Sequence, residues 1–153
     1  MNKAIFILIL ITTGIACGES PMYENSLELQ DKVWSYDQIF SSTFSIKDTS
    51  KSYDLLLDVA HGTEYKFQNL YVDIATIFPN KKIANSELSL DFADKKGKWK
   101  GDCNSNKCNL RFYLQQSFKF KEPGEYKIDV SQYSRNNRVE FLESLTLSLF
   151  MAK

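Results

Sequence analysis

The side chains able to carry chemistry are few: three cysteines (Cys17, Cys103 and Cys108) and one histidine (His61) in 153 residues. Cys103 and Cys108 bracket N-S-N-K, a spacing that closes a small loop between two strands, so in an exported chain a disulfide at a hairpin tip is expected. Two thiols and one imidazole do not supply a closed tetrahedral zinc site, and the spacing is not that of a thioredoxin-like redox motif, so no metal is expected. His61-Gly62-Thr63 follows a strand pattern and reads as an exposed loop. An imidazole there would need Ser and Asp partners to act as a base, and no nucleophile-elbow pattern occurs. Asp91, Asp94 and Asp102 could gather oxygens for calcium or carboxylates for glycoside hydrolysis. No loop of ligand spacing supports either, and surface acids are the expectation. Trp99, set in G-K-W-K-G, has two readings: an exposed contact for a partner or sugar, or a plug folded under the sheet. The second is favoured because Trp is highly buried on average. No catalytic residue, enzyme activity, small-molecule substrate or cofactor is expected.

Cys17 belongs to a different chemistry. Residues 1–16 carry one positive charge at Lys3, an apolar run from Ala4 to Ile11, then small and polar residues, which is a secretory signal layout too short to span a bilayer. Gly14-Ile15-Ala16-Cys17 resembles the lipobox of bacterial lipoproteins, in which the cysteine becomes the lipidated first residue. Each buried methylene stabilises membrane attachment by about 0.8 kcal/mol, so several acyl chains make release negligible. The expected organisation is a signal peptide over 1–16, a lipidated tether over 17–30 and one folded domain over 31–153. Gly18, Glu19 and Ser20 lack an Asp beside the lipid and an acidic cluster, which favours the outer membrane, facing the periplasm.

The remaining residues must build a scaffold, and their pattern is β. Aromatics are 14% of the chain, with 11 Phe and 8 Tyr, and such side chains favour pleated surfaces. Nineteen basic residues balance nineteen acidic ones, so no basic stripe supports nucleic-acid binding. Leu55/Leu57/Val59, Leu70/Val72/Ile74, Leu88/Leu90/Phe92, Tyr126/Ile128/Val130 and Leu145/Leu147/Leu149/Met151 alternate with polar or outward residues at a period of two. Phe44 and Ile46 mark an earlier strand, and Leu110 to Phe120 a long one. Seven or eight strands without a convincing helix predict an all-β, antiparallel β-sandwich, immunoglobulin-like or jelly-roll-like. Glu122-Pro123-Gly124-Glu125-Tyr126 reads equally as a tyrosine corner or as one more half-buried aromatic.

Ser52-Tyr53-Asp54-Leu55, Asn69-Leu70-Tyr71-Val72, Phe78-Pro79-Asn80, Leu90-Asp91-Phe92-Ala93-Asp94 with Gly97-Lys98-Trp99-Lys100-Gly101, and Phe120-Lys121-Glu122-Pro123-Gly124-Glu125-Tyr126 follow one another along the chain. In that order they resemble the motifs of the gliding-motility lipoprotein GldH family. The chain departs from the family where Cys103 to Cys108 replaces a glycine-rich stretch and where Val139 to Thr146 lacks glycine. The resemblance implies an envelope lipoprotein needed for gliding, in a system linked to type IX secretion, with other envelope proteins as partners. Cys17 is the one functional residue it carries over. The competing expectation is a lipid-anchored carbohydrate-binding sandwich with Trp99 and nearby tyrosines stacking on sugar rings.

Overall fold

The computed structural model describes residues 20–153; Cys17 and the signal segment lie outside them. Its eleven strands are β1 (Tyr23–Glu28), β2 (Val33–Ser35), β3 (Phe40–Ile46), β4 (Tyr53–Gly62), β5 (Asn69–Ile77), β6 (Ile83–Asp91), β7 (Asp102–Cys103), β8 (Lys107–Phe118), β9 (Gly124–Gln132), β10 (Arg138–Glu140) and β11 (Leu142–Met151). Eight of them have six residues or more, and β2, β7 and β10 are short. A five-stranded sheet, ordered β1-β11-β4-β8-β7, packs on a four-stranded sheet, ordered β3-β9-β5-β6, and β2 pairs β10 as a separate ribbon. All of these pairings are antiparallel. The fold is therefore the expected antiparallel sandwich.

The core follows from the period of two. Leu55, Leu57 and Val59 of β4 and Leu145, Leu147 and Leu149 of β11 face Leu70, Val72 and Ile74 of β5 and Tyr126, Ile128 and Val130 of β9, and all are buried. Each such aliphatic side chain contributes on the order of 1.5–3 kcal/mol by leaving water. β1 pairs β11 from Tyr23↔Leu149 to Glu28↔Ser144, so the sheet begins ahead of Asp31, inside the segment read as tether. Trp34, on β2, is fully buried and its indole N–H donates to the Gln38 carbonyl at 2.7 Å.

Register brings the ends of the two sheets together. At one end lie Tyr23, Tyr53 and Phe118 of the five-stranded sheet with Phe44, Ile46 and Tyr126 of the other, joined by ring contacts of Tyr23 with Phe44 and of Phe120 with both Tyr53 and Tyr126. The tyrosine corner is formed here, with the Tyr126 hydroxyl donating to the Glu122 carbonyl at 2.8 Å. Gly124 at φ 133° starts the strand where a Cβ would stand 2.9 Å from Pro79. The chain therefore turns without steric conflict only with glycine at this position. At the opposite end, Cys103 and Cys108 are cross-strand partners joined by a disulfide, and the Asn104 side chain accepts from the N–H groups of Asn106 and Lys107 inside the tip. Closing so small a loop contributes about 2 kcal/mol on the chain-entropy view.

His61 corrects the sequence reading. It is a fully buried strand residue, not an exposed loop one, because β4 continues past its apolar run and pairs Leu142 on one side and Cys108 on the other. Its ring stacks on Phe92 at 4.7 Å and meets the Trp99 ring at 4.8 Å. Nδ1 donates to the Gly62 carbonyl at 2.8 Å, and Nε2 is buried without a partner. Burial lowers the pKa, opposed by the Gly62 hydrogen bond and by Glu143.

Two predictions follow from this packing. Tyr126→Phe, which deletes the corner bond and keeps the ring, costs about 1 kcal/mol in urea unfolding with an unchanged m-value. Below its unfolded pKa of about 6.5 His61 takes a proton more readily in the unfolded chain than in the native one. Stability therefore falls as pH drops from that value through the lowered native pKa. The slope of unfolding free energy against pH between about 7 and about 5 is steeper for the natural chain than for His61→Phe; equal slopes would show that His61 is not held neutral.

Candidate functional site

The end of the sandwich that carries His61 also carries Tyr36, Phe67, Tyr71 and Tyr133, four of the aromatic side chains left in solvent. After Gly62 the chain turns, with Tyr65 N–H donating to the Gly62 carbonyl at 3.1 Å, and the buried Tyr65 hydroxyl donates to the Asn69 carbonyl at 3.0 Å. Burial pushes the Tyr65 phenol well above its usual range, so it stays a protonated donor. Phe67 then projects outward beside Tyr65, at 5.8 Å between rings. Tyr71, on the outer side of β5, is 49% exposed, and Tyr133, just past β9, is 55% exposed. The backbone bond from Tyr133 N–H to the Tyr71 carbonyl, 2.8 Å, ties these positions together. Tyr36 follows β2, is exposed, and donates its hydroxyl proton to the Ser134 carbonyl.

Two adjoining hollows result. One, of about 320 Å³, lies among Tyr65, Phe67, Asn69, Tyr71, Arg135 and Asn136. The other, of about 420 Å³, lies among Tyr36, Tyr71, Glu87, Tyr133 and Arg135. Tyr71 and Arg135 line both. A larger hollow of about 730 Å³ lies on the outer face of the five-stranded sheet, among Asp54, Leu56, Arg111, Tyr113 and Phe150. There Arg111 is already engaged with both Asp58 oxygens, at 2.7 and 2.8 Å, and Asp54 accepts the Ser117 N–H at 2.7 Å. Arg111 and Asp54 are thus already engaged, whereas the smaller pair presents several ring faces beside the Arg135 guanidinium. Tyr supplies large contact area at low entropy cost, and both Tyr and Arg are enriched in binding hot spots. The tyrosine end is therefore the candidate site.

Trp99 is half-buried, packed against the core and His61, and held by a bridge to Ala93. It stands behind Tyr65, at 6.5 Å between rings, and does not line the hollows. Its loop is fixed by Asp94, whose carboxylate accepts from the N–H groups of Lys96 and Lys98 at 2.8 and 3.0 Å. Those backbone bonds, that of Lys98 foremost, hold the Asp94 carboxyl below its usual range. Asp91 faces Lys100 at 3.7 Å. Among the described residues no three His, Cys, Asp or Glu side chains gather as a metal site. The sequence alone does not single out Tyr36, Tyr71, Tyr133 and Arg135, which come from three well-separated stretches of the chain.

Comparison with known proteins places this geometry in a lineage. A gliding motility lipoprotein GldH homolog of Christiangramia forsetii is 25% identical over 153 residues, covering 95% of this chain and 93% of that protein. The gliding motility lipoprotein GldH of Flavobacterium johnsoniae is 24% identical over 149 residues, covering 95% and 91%. Among solved structures, a family two carbohydrate esterase from Cellvibrio japonicus matches 86% of this chain and 36% of that one, at 13% identity and a TM-score of 0.33. The sequence profile described as GldH lipoprotein matches residues 21–149, and the chain belongs to that family.

Proposed function

We propose that this protein is a non-catalytic component of the bacterial gliding motility machinery linked to type IX secretion, anchored through lipid on Cys17 to the outer membrane and facing the periplasm. Residues 1–16 are the signal peptide that is removed. The observation that carries the reading is the opposition of the two ends: the chain enters the sheet at Met22, bonded to Leu149, while the exposed tyrosines sit at the other end of the strands. A domain so tethered offers Tyr36, Tyr71, Tyr133 and Arg135 to neighbouring envelope proteins. Confinement to one membrane raises the effective concentration of those partners, so a modest interface suffices. The walled-in His61, with no Ser or carboxylate bonded to it, supports a role in binding and not in catalysis.

The aromatic lining with the amides of Asn69 and Asn136 beside it favours one second reading, in which the same hollows take a sugar ring. In that case Tyr71, and not Trp99, stacks on it.

Replacing Cys17 by Ser abolishes the diacylglyceryl group and stops colony spreading; normal spreading by an unlipidated product would sink the anchored reading. Tyr71→Ala with Tyr133→Ala keeps lipidation and protein level and loses capture of envelope partners in cell crosslinking tenfold or more, as removal of hot-spot tyrosines of about 2 kcal/mol each implies. Polysaccharide titration of the natural and doubly substituted chains separates the readings, since saturable binding lost in the variant favours the sugar site.

A further inference from the structure

The end at which the chain enters the sheet has its own charge pattern. Three chain reversals meet there: residues 47–52 between β3 and β4, 78–82 between β5 and β6, and 119–123 between β8 and β9. They are contiguous, since Asn80 donates to the Glu122 carboxylate at 3.2 Å and Phe120 packs on Tyr53. Together they expose Lys47, Lys51, Lys81, Lys82, Lys119 and Lys121. The acids nearby are Asp48, Asp54, Glu122 and Glu125, with Glu24 two residues past Met22, and Asp54 accepts the Ser117 N–H. Asp48 already accepts from Ser50 and faces Lys51 at 3.9 Å, and Glu122 is taken by Asn80. Beside the lysines stand three exposed apolar side chains, Met22, Phe118 and Met151, which register places at adjacent strand ends. The tyrosine end differs, because its lysines are interleaved with acids, as in Asp91, Asp94 and Asp102 around Lys95, Lys98 and Lys100.

Chain length adds a second constraint. An extended chain spans at most about 3.5 Å per residue, so Met22 stays within about 18 Å of Cys17. The ten-residue β4 is itself about 30 Å long at its rise per residue. A sandwich held at Cys17 therefore cannot stand inverted, upright on its tyrosine end.

We propose that the lysine end is a docking surface for anionic phospholipid headgroups, its six lysines on the phosphates and Met22, Phe118 and Met151 at the interface, which sets the domain upright on the membrane. The inference rests on the lipid reading of Cys17. Basic clusters beside an anchor are drawn to anionic bilayers, and the attraction falls with salt.

The test uses the lipidated chain in vesicles of phosphatidylcholine with phosphatidylglycerol, and in phosphatidylcholine alone. Lysine acetylation is read by peptide mass spectrometry, and the Cys17 group by the same digest. In the anionic vesicles Lys47, Lys119 and Lys121 react about threefold or more slowly than in the neutral ones, high salt removes the difference, and Lys95 and Lys98 react alike in both. Lys47→Glu with Lys119→Glu returns Lys121 and Lys82 to the neutral-vesicle rate. A lipidated chain whose tether-end lysines react equally in both vesicles overturns the docking and leaves the anchor intact. Protection by purified cell-wall sacculi but not by vesicles overturns it too. A digest without the diacylglyceryl group overturns the lipid reading and the docking with it.

Discussion

Antiparallel register around two central strands is the constraint from which the other features follow. β4 is paired on both sides, by β11 and β8, and β5 on both sides, by β9 and β6. A slip of one residue in either would turn Leu55, Leu57 and Val59, or Leu70, Val72 and Ile74, out of the core and lose the burial of a whole face. With those registers fixed, the long strands run back and forth along one axis, so their connections collect at its two ends. Turns with lysine in excess of acid gather at one end and the exposed tyrosines at the other. The two surfaces proposed for binding are thus consequences of where the core permits the chain to turn.

The tyrosine end combines a cost with a compensation. An imidazole nitrogen buried without a partner is unfavourable by about 1–3 kcal/mol, and charging it there would be worse. The His61 ring recovers part of this through its stack on Phe92 and its edge contact with Trp99, each of a kind contributing about 0.5–1.5 kcal/mol. Its other nitrogen binds the Gly62 carbonyl where the strand gives way to the Tyr65 turn. The same rings then pack behind Tyr65, which lines the site and stands between Trp99 and the exposed Phe67.

What the sequence made legible is what a period of two can encode. The alternating residues of β4, β5 and β9, and of β11 as far as Leu149, are the core, whereas Met151 is exposed at the strand end; the P-G-E-Y corner is closed by its tyrosine. The N-S-N-K loop is spanned by its disulfide. β1 was harder to place because it lies at a sheet edge, where Asn25 and Ser26 sit among its six residues and only alternate positions are half-buried. His61 was misread because a histidine beside glycine and threonine looks like a loop, and only pairing on both sides makes it core. The site itself was illegible. Tyr71 and Tyr133 become neighbours through one backbone bond across β5 and β9, and nothing local to either residue announces it.

The direction of load ties the two ends together. On the proposed function, an anchor at Cys17 and a partner at the tyrosines would put tension along the strand axis, drawing β1 toward the membrane and the rest of the sandwich away. Hydrogen bonds between antiparallel strands lie perpendicular to the strands. A pull along β1 therefore loads all six of its pairs with β11 at once, from Tyr23↔Leu149 to Glu28↔Ser144, and does not open them one by one. The Tyr23 hydroxyl adds a bond across to the other sheet by accepting the Thr43 N–H at 3.1 Å, and the Ser26 and Thr146 hydroxyls bond across the same strand pair at 2.8 Å. A strand inserted at the sheet edge with its free end toward the anchor resists this load better than a hairpin pulled from its open end would. The entry of the chain at Met22, five residues past Cys17, thus suits the tethered role proposed for it.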